Sequence, residues 1–385
     1  MGARPRAHTL VIGLVFPRPW VAINFPAVRA ALLKDIARVV VKLGTGVLTD
    51  SRKQPDLAQI RQLVGQLAAL RKEGREVVVV TSGAVGAGMG VLGFDKRPSA
   101  LDALQACAAV GQSRLMATYE KLFARHGLHV GQVLLTHDDI ESRDRHLNAR
   151  NSLVTLLQRG VIPIVNENDT ISVTELKFGD NDKLSALVAA LLPADLLVIL
   201  TTVDGVVENF GTEEARLLSV IEKIDSTVEG MAHGTTSTTA VGGMSSKIQA
   251  AKIVVRAGIP LVIAPGRKRH VLRRVLEGRE EGTIFVPQAG RLPGRKRWIA
   301  FFHHPKGVLL VDDGARRALQ EGGKSLLRPG IKRWEGRFAE GDVVAISDLQ
   351  NREFARGIVR FDSSALEAGK TGRSEIVHRD DLVVL

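Results

Sequence analysis

The chain has 385 residues, a length that accommodates two or three domains. Hydrophobic residues make up 45% and charged residues 24%, which permits a large buried core and argues against wholesale disorder. The formal net charge of +12 fits anionic partners, nucleotides or nucleic acid, without choosing between them. Much of the excess lies in two runs, Arg267, Lys268, Arg269, Arg273 and Arg274, then Arg291, Arg295, Lys296 and Arg297. Such runs are ordinarily solvated faces. A single cysteine, Cys107, excludes an internal disulfide and a multi-cysteine zinc site. Within the apolar run 104–110 it reads as a buried, inert thiol in a reducing, cytoplasmic compartment.

Residues 1–35 read as an N-terminal extension without a periodic pattern, of the kind produced by a start codon placed too far upstream. The apolar run 9–16 is too short to span a membrane and is followed by Pro17-Arg18-Pro19. No small-residue cleavage site follows it cleanly, and no membrane span is expected elsewhere.

From 36 to 288, short runs rich in Val, Ile and Leu alternate with amphipathic stretches. The predicted strands are 38–42, 76–81, 129–136, 162–166, 195–201 and 259–264, each continuous as in strands buried on both faces. The predicted helices are 56–72, 100–125, 145–159, 181–192 and 244–257. The alternation implies an α/β fold with a mostly parallel sheet sandwiched between helices. A Gly/Pro/Arg-rich stretch, 289–297, reads as a linker. Beyond it, 298–385 reads as a small β-barrel, with strands at 307–311, 336–338, 342–347 and 354–360.

Ligands of parallel sheets bind beyond the C-terminal ends of the strands. Those exits read Lys42-Leu43-Gly44-Thr45-Gly46, Thr81-Ser82-Gly83-Ala84, Asn166-Glu167-Asn168-Asp169 and Thr201-Thr202-Val203-Asp204-Gly205, all polar or glycine-rich. Ser82-Gly83-Ala84 opens a helix, where glycine admits a close anion and helix amides favour it, although a plain tight turn explains the same residues. Gly242-Gly243-Met244-Ser245-Ser246-Lys247 also opens a helix and suits a polyphosphate, or is an ordinary N-cap. Gly179-Asp180-Asn181-Asp182-Lys183 sets two carboxylates around an amide just before a helix, and an N-cap accounts for only one of them. Lys42 ends the apolar strand Val39-Val40-Val41. Taken alone it snorkels; beside Gly44-Thr45-Gly46 it becomes a phosphate-site candidate. Two glycine patterns are set aside. Gly88-x-Gly90-x-x-Gly93 starts too far past its strand for a dinucleotide fingerprint, and Gly323-Lys324-Ser325 lacks the earlier glycine of a Walker A loop.

Taken together, these exits resemble the amino acid kinase family, in particular its members that phosphorylate glutamate at the first step of proline biosynthesis. The matching segments also include Ala109-Val110-Gly111-Gln112-Ser113, Asn148-Ala149-Arg150 and Arg295-Lys296-Arg297-Trp298-Ile299, in family order from about residue 38 to 300. The part beyond 300, with Arg328-Pro329-Gly330-Ile331-Lys332 and His378-Arg379-Asp380-Asp381, is similar to the PUA domain that many such kinases carry.

The resemblance implies that Lys42 and Lys247 contact ATP phosphates, that Asp182 orients the two lysines, and that Ser82, Asp169 and Asn181 bind glutamate. It places Thr201, Thr202, Val241, Gly242, Gly243, Met244, Ser245 and Ser246 on the nucleotide side, with Mg2+ riding on the phosphates. The departures fall on that side: Thr202 where the family often has Asp, Val206-Val207-Glu208 in place of Leu-Tyr, and Val241 before Gly242 where Thr is common. The family also implies a homo-oligomer (dimer or tetramer), feedback by proline through the loop 169–179, and hand-off of product to glutamyl phosphate reductase.

The chemistry agrees with that resemblance. A glutamate side chain with a pKa near about 4.3 is already ionised at neutral pH and needs no general base. An anion attacking a polyanion needs charge stabilisation, which lysines and amides supply. Two other readings stay open on sequence: another kinase of the fold, acting on acetylglutamate, aspartate, carbamate or UMP, and RNA binding through the PUA-like part, for which Trp334, Phe338, Phe354 and Phe361 are the obvious stacking residues.

Overall fold

The computed structural model describes residues 25–51, 54–171, 181–231, 243–288, 296, 298–302, 305–369 and 375–385. The first unit is built on an eight-stranded sheet in the order β3-β4-β2-β1-β5-β9-β10-β8. Its strands are β1 Arg38–Leu43, β2 Glu76–Val80, β3 Val130–Leu135, β4 Ile162–Glu167, β5 Leu196–Thr201, β8 Val220–Ile221, β9 Leu261–Pro265 and β10 Thr283–Phe285. All neighbours run parallel except β9 and β10. The six strands expected from sequence are present. The structure adds β8 and β10, which at two and three residues are too short to leave a pattern.

β1 is central, and its unbroken apolar run is explained by two cores rather than one. Successive side chains of a strand point to opposite faces. Val40 joins Val78, Val80, Leu197 and Ile199 beneath the helices Asp182–Leu191 and Met244–Arg256. Val39, Val41 and Leu43 join Val77, Val79, Leu196, Val198 and Leu200 beneath the helices Leu57–Lys72, Leu101–Ala124 and Val271–Leu276. Lys42, two residues after Val40, therefore emerges on the face of the Asp182 and Lys247 helices. Between Ala84–Met89 and Leu101–Ala124 the backbones nearly touch. A Cβ on Gly88 would sit 1.8 Å from the carbonyl oxygen of Cys107, and one on Gly111 1.8 Å from that of Ala84. Cys107 itself is buried and free, as its apolar neighbours imply.

The second unit is one six-stranded sheet in the order β12-β16-β15-β14-β11-β13, formed by β11 Gly307–Val311, β12 Leu326–Leu327, β13 Ile331–Gly336, β14 Val343–Ser347, β15 Glu353–Val359 and β16 Glu375–Val384. The strand expected at 336–338 is instead the end of β13 and the turn after it. Phe338 and Phe354 lie in this unit's core, 4% and 7% exposed. The helical turn Trp298–Phe302 joins the units: Trp298, Ile299 and Ala300 share one apolar cluster with Leu187 and Leu191 of the first unit and with Val343 and Val383 of the second. Most of the expected linker, 289–297, lies outside the described residues.

The segment read as an extension is structured from Phe25 onward. Helix Phe25–Leu33 packs Leu33 into the core and buries Arg29 completely. Nη1 of Arg29 donates to the carbonyls of Ser219 at 2.9 Å and Gly282 at 3.3 Å, and Nη2 donates to that of Glu281 at 2.6 Å. Burial pushes the Arg29 pKa down, against the pull of Glu280 and Glu281. Arg29→Met leaves three carbonyls without their donor. It is expected to lower stability by about 2–4 kcal/mol, measured by urea unfolding.

Candidate active site

Asp182 stands at the first turn of its helix and is fully buried. Its Oδ1 lies 2.6 Å from Lys42 Nζ at the end of β1, and its Oδ2 lies 2.9 Å from Lys247 Nζ in the first turn of Met244–Arg256. Residues 140 and 65 positions apart in the chain thus meet at one carboxylate. Both lysines are nearly buried, at 4% and 5% exposure. Burial alone would raise the Asp182 carboxyl, but the two ammonium groups outweigh it and hold the group well below the usual carboxylate range. The trio carries one net positive charge. Both carboxylate oxygens of Asp182 face lysines. Ser246 Oγ donates to Asp182 Oδ2 at 3.0 Å, so the glycine-serine turn is tied to the same carboxylate.

The glycine exits close in around this trio. A Cβ on Gly44 would fall 3.1 Å from the Leu200 carbonyl and 3.8 Å from Lys42 Nζ, and one on Gly46 would fall 2.8 Å from Thr202 Cγ2. Thr202 therefore lies against the Gly44–Gly46 turn, and Thr201 beside it closes β5, its carbonyl accepting from Gly266 at 2.8 Å. Gly83 takes φ +98°, a conformation that favours glycine, and starts helix Ala84–Met89 directly after Ser82.

Beside Ser82 lies a buried polar network. Asn181 Nδ2 donates to the Thr81 carbonyl at 2.5 Å and to Asn166 Oδ1 at 2.7 Å, with Ser82 Oγ at 3.4 Å. Asn166 Nδ2 donates to Gln112 Oε1 at 2.8 Å. Thr81 Oγ1 lies 2.7 Å from the hydroxyl of Tyr119, the chain's one tyrosine. Asp169 follows β4 in a half-buried turn. Of the residues singled out from sequence, Lys42, Lys247, Asp182, Ser82, Asn181, Thr201, Thr202 and Ser246 converge at one end of the sheet, with Gly243 and Met244 starting the Lys247 helix. Ser245 follows them in its first turn. Val241, Gly242, Gly179 and Asp180 lie outside the described residues, as does most of the loop 169–179.

A cleft of about 370 Å3 opens beyond β5 between the hairpin of β6 Val207–Glu208 and β7 Arg216–Leu217 and the helix Ser226–Met231. It is lined by Val207, Phe210, Thr227 and Met231, with Phe210 56% exposed. Sequence reasoning named Val207 only as a departure on the nucleotide side and missed Phe210, Thr227 and Met231. An exposed aromatic next to a glycine-rich strand exit was the available signal.

The basic run 267–274 is largely paired off. Arg267 meets Asp56 at 3.2 Å, Lys268 meets Glu281 at 2.6 Å, Arg273 meets Glu277 at 2.8 Å and Arg274 pairs with Glu281. In the second unit a cavity of about 760 Å3 is lined by Lys324, Ser325, His378 and Arg379 but also by Asp312 and Glu375. Of the four aromatic residues considered for stacking, Phe338 and Phe354 are core, and Arg328 covers the Trp334 ring at 5.3 Å. No helix among the described residues is long and apolar enough to cross a membrane.

A parallel sheet whose exits bring two lysines onto one buried aspartate, with glycine turns on either side, defines a phosphoryl-transfer class. Residues 37–265 match the Amino acid kinase family and residues 307–380 match the PUA domain, and the chain belongs to the amino acid kinase family. Its relatives there are named more narrowly. It is 44% identical over 372 residues to the Glutamate 5-kinase of Pelobacter propionicus, covering 93% of this chain and 100% of that protein. It is 46% identical over 363 residues to the Glutamate 5-kinase of Marinomonas sp., covering 90% and 97%. It is 45% identical over 368 residues to that of Moorella thermoacetica, covering 92% and 97%.

Because its folded pKa is depressed, Asp182 contributes stability that is fully present above the ordinary carboxylate value and is lost as pH falls toward the depressed one. Asp182→Asn removes the negative charge that two buried ammonium groups face. It is expected to cost about 3 kcal/mol or more at neutral pH, in urea unfolding. The gap to the native protein should narrow as pH drops below about 4.

Proposed function

We propose that this protein transfers the terminal phosphoryl group of ATP to the side-chain carboxylate of L-glutamate, giving L-glutamyl 5-phosphate at the first step of proline biosynthesis. The observation that carries this reading is the Lys42–Asp182–Lys247 trio, positively charged overall and flanked by the buried polar network of Ser82, Asn181 and Asn166. The near full-length relatedness to proteins named Glutamate 5-kinase supports the choice of acceptor over acetylglutamate, aspartate, carbamate or UMP.

In this reading Ser82, Asp169 and Asn181 hold glutamate with its side-chain carboxylate facing ATP. That carboxylate is ionised at neutral pH, so one of its oxygens attacks the terminal phosphorus directly. The bond to the bridging oxygen breaks, ADP leaves with the electron pair, and a mixed anhydride remains. No proton moves, which fits a site built of cations rather than a base. Lys42 and Lys247 neutralise charge on the transferring group, and Asp182 keeps their ammonium groups a fixed distance apart. Mg2+ riding on the ATP phosphates would supply further charge neutralisation beside Lys42 and Lys247. The nucleotide phosphates lie along Gly44–Gly46, Thr201, Thr202 and the turn Val241 to Ser246. Its base occupies the cleft of Val207, Phe210 and Met231.

The product hydrolyses or cyclises readily, so rapid passage to a glutamyl phosphate reductase suits its chemistry. A cytoplasmic homo-oligomer under proline feedback, as in the family, completes the proposal. RNA binding by the PUA domain is the weaker second role, since the aromatic residues there are mostly occupied.

A hydroxylamine-trapping assay with ATP and each acceptor, with and without proline, tests the reaction. Product formed from glutamate is the expected result, and none from glutamate would overturn it. Lys42→Ala and Lys247→Ala should each lower kcat by about 100-fold or more while the glutamate KM moves by less than about threefold. Near-native turnover in either variant sinks the assignment. Phe210→Ala should raise the KM for ATP about fivefold and leave that for glutamate in place, measured by steady-state kinetics.

A further inference from the structure

The Gly111-Gln112 pair belongs to the motifs shared with the family, yet the reaction described above makes no use of it. Gly111 lets helix Leu101–Ala124 approach the Ala84 carbonyl at backbone contact. This carries the next residue, Gln112, into the interior, where it is 8% exposed. A buried primary amide must find partners for both of its ends. Gln112 finds them in two other amides: Asn166 Nδ2 donates to its Oε1 at 2.8 Å, and its own Nε2 donates to Gln132 Oε1 at 3.2 Å. Four amides thus run in series, Gln132, Gln112, Asn166 and Asn181, from the exposed face of edge strand β3 to the strand exit at Ser82.

The direction of this series is not free. Its inner end meets the Thr81 carbonyl, which can only accept, so Asn181 must turn its NH2 group there. That NH2 group also meets Asn166, which must answer with oxygen and is left with nitrogen for Gln112. Gln112 must answer with oxygen in turn, and donates outward to Gln132. Each amide is locked by the next. The result at the substrate end is definite. Both hydrogens of Asn181 Nδ2 are committed to Thr81 and Asn166, and only Oδ1 remains able to bind a ligand.

We propose that Gln112 is a positioning residue which, through Asn166, holds Asn181 so that it offers an acceptor oxygen to the substrate, and that this oxygen reads the α-ammonium group of the amino acid. The inference rests on the glutamate-kinase reading. At neutral pH the ammonium group is the only donor that glutamate carries. A dicarboxylate lacking it, glutarate, meets an acceptor with nothing to give.

The test compares glutamate with glutarate as acceptors for the full-length native enzyme, Gln112→Leu and Gln112→Glu, with thermal unfolding run on each. Leu offers Asn166 no acceptor, so Asn166 loosens and the second hydrogen of Asn181 Nδ2 is freed to donate to a ligand, while the Thr81 carbonyl keeps the first. The expected result is a glutamate KM raised about tenfold, an ATP KM changed less than twofold, and a glutamate-to-glutarate preference in kcat/KM reduced about tenfold. Glu, ionised or protonated, still presents an acceptor to Asn166, so the preference should stay within about threefold of native even if stability falls. An unchanged preference in a folded Gln112→Leu, equal KM changes for glutamate and ATP, or loss of the preference in Gln112→Glu each overturn the inference. Should Gln112→Leu fail to fold, Gln112→Met, which offers Asn166 only a weak thioether acceptor, is read by the same criteria. Native enzyme inactive on glutamate defeats the underlying reading instead, a separate outcome.

Discussion

The arrangement depends on one carboxylate. Asp182 is buried where an ionised group is costly, and it stays ionised because two ammonium groups from opposite parts of the chain reach it at 2.6 and 2.9 Å. The dependence is mutual, since each nearly buried lysine has this carboxylate as its ion-pair partner. The parity of β1, the start of the Asp182 helix and the Gly243–Ser246 turn are all conditions for this meeting. The central strand, the helix above it and the neighbouring helix are therefore tied together by charge as well as by apolar contact.

The same helix extends this constraint to the C-terminal unit. Its inward face, from Leu184 to Leu191, belongs to the apolar cluster that continues through Trp298, Ile299 and Ala300 to Val343 and Val383. Arg356 on β15 adds a hydrogen bond to the Ala300 carbonyl at 3.0 Å. The two sheets are packed through a shared interior.

Much of this was legible in the residues, for identifiable reasons. Continuous Val and Leu runs announced strands buried on both faces. The strand-exit rule then gathered Lys42, Ser82 and Thr201 without any contact being known. The two-residue period even tells on which face Lys42 emerges, once Val40 is assigned. Other features left no such trace. β8 and β10 are shorter than any period that would reveal them. Arg29 is held by main-chain carbonyls, which carry no residue signature, so its helix read as featureless. Gln112 was visible as part of a motif, but its partners Asn166 and Gln132 lie 54 and 20 positions away and meet it only in the fold. Phe210 projects from a hairpin of two-residue strands, where nothing periodic marks it.

The Arg29 clamp has a bearing on how the molecule is made. The helix that carries this guanidinium leaves the ribosome well before its carbonyl partners, which lie 190 to 253 positions later. At synthesis rates of about 5–20 residues per second, that interval is on the order of ten seconds or more. During its earlier part β1 also waits for β5, and Lys42 waits for Asp182. Long-range closure of this kind slows folding and prolongs exposure of apolar strand edges. The nascent domain is therefore a natural client for chaperones until residue 282 has emerged, and the buried arginine makes its last connections near the end of that wait.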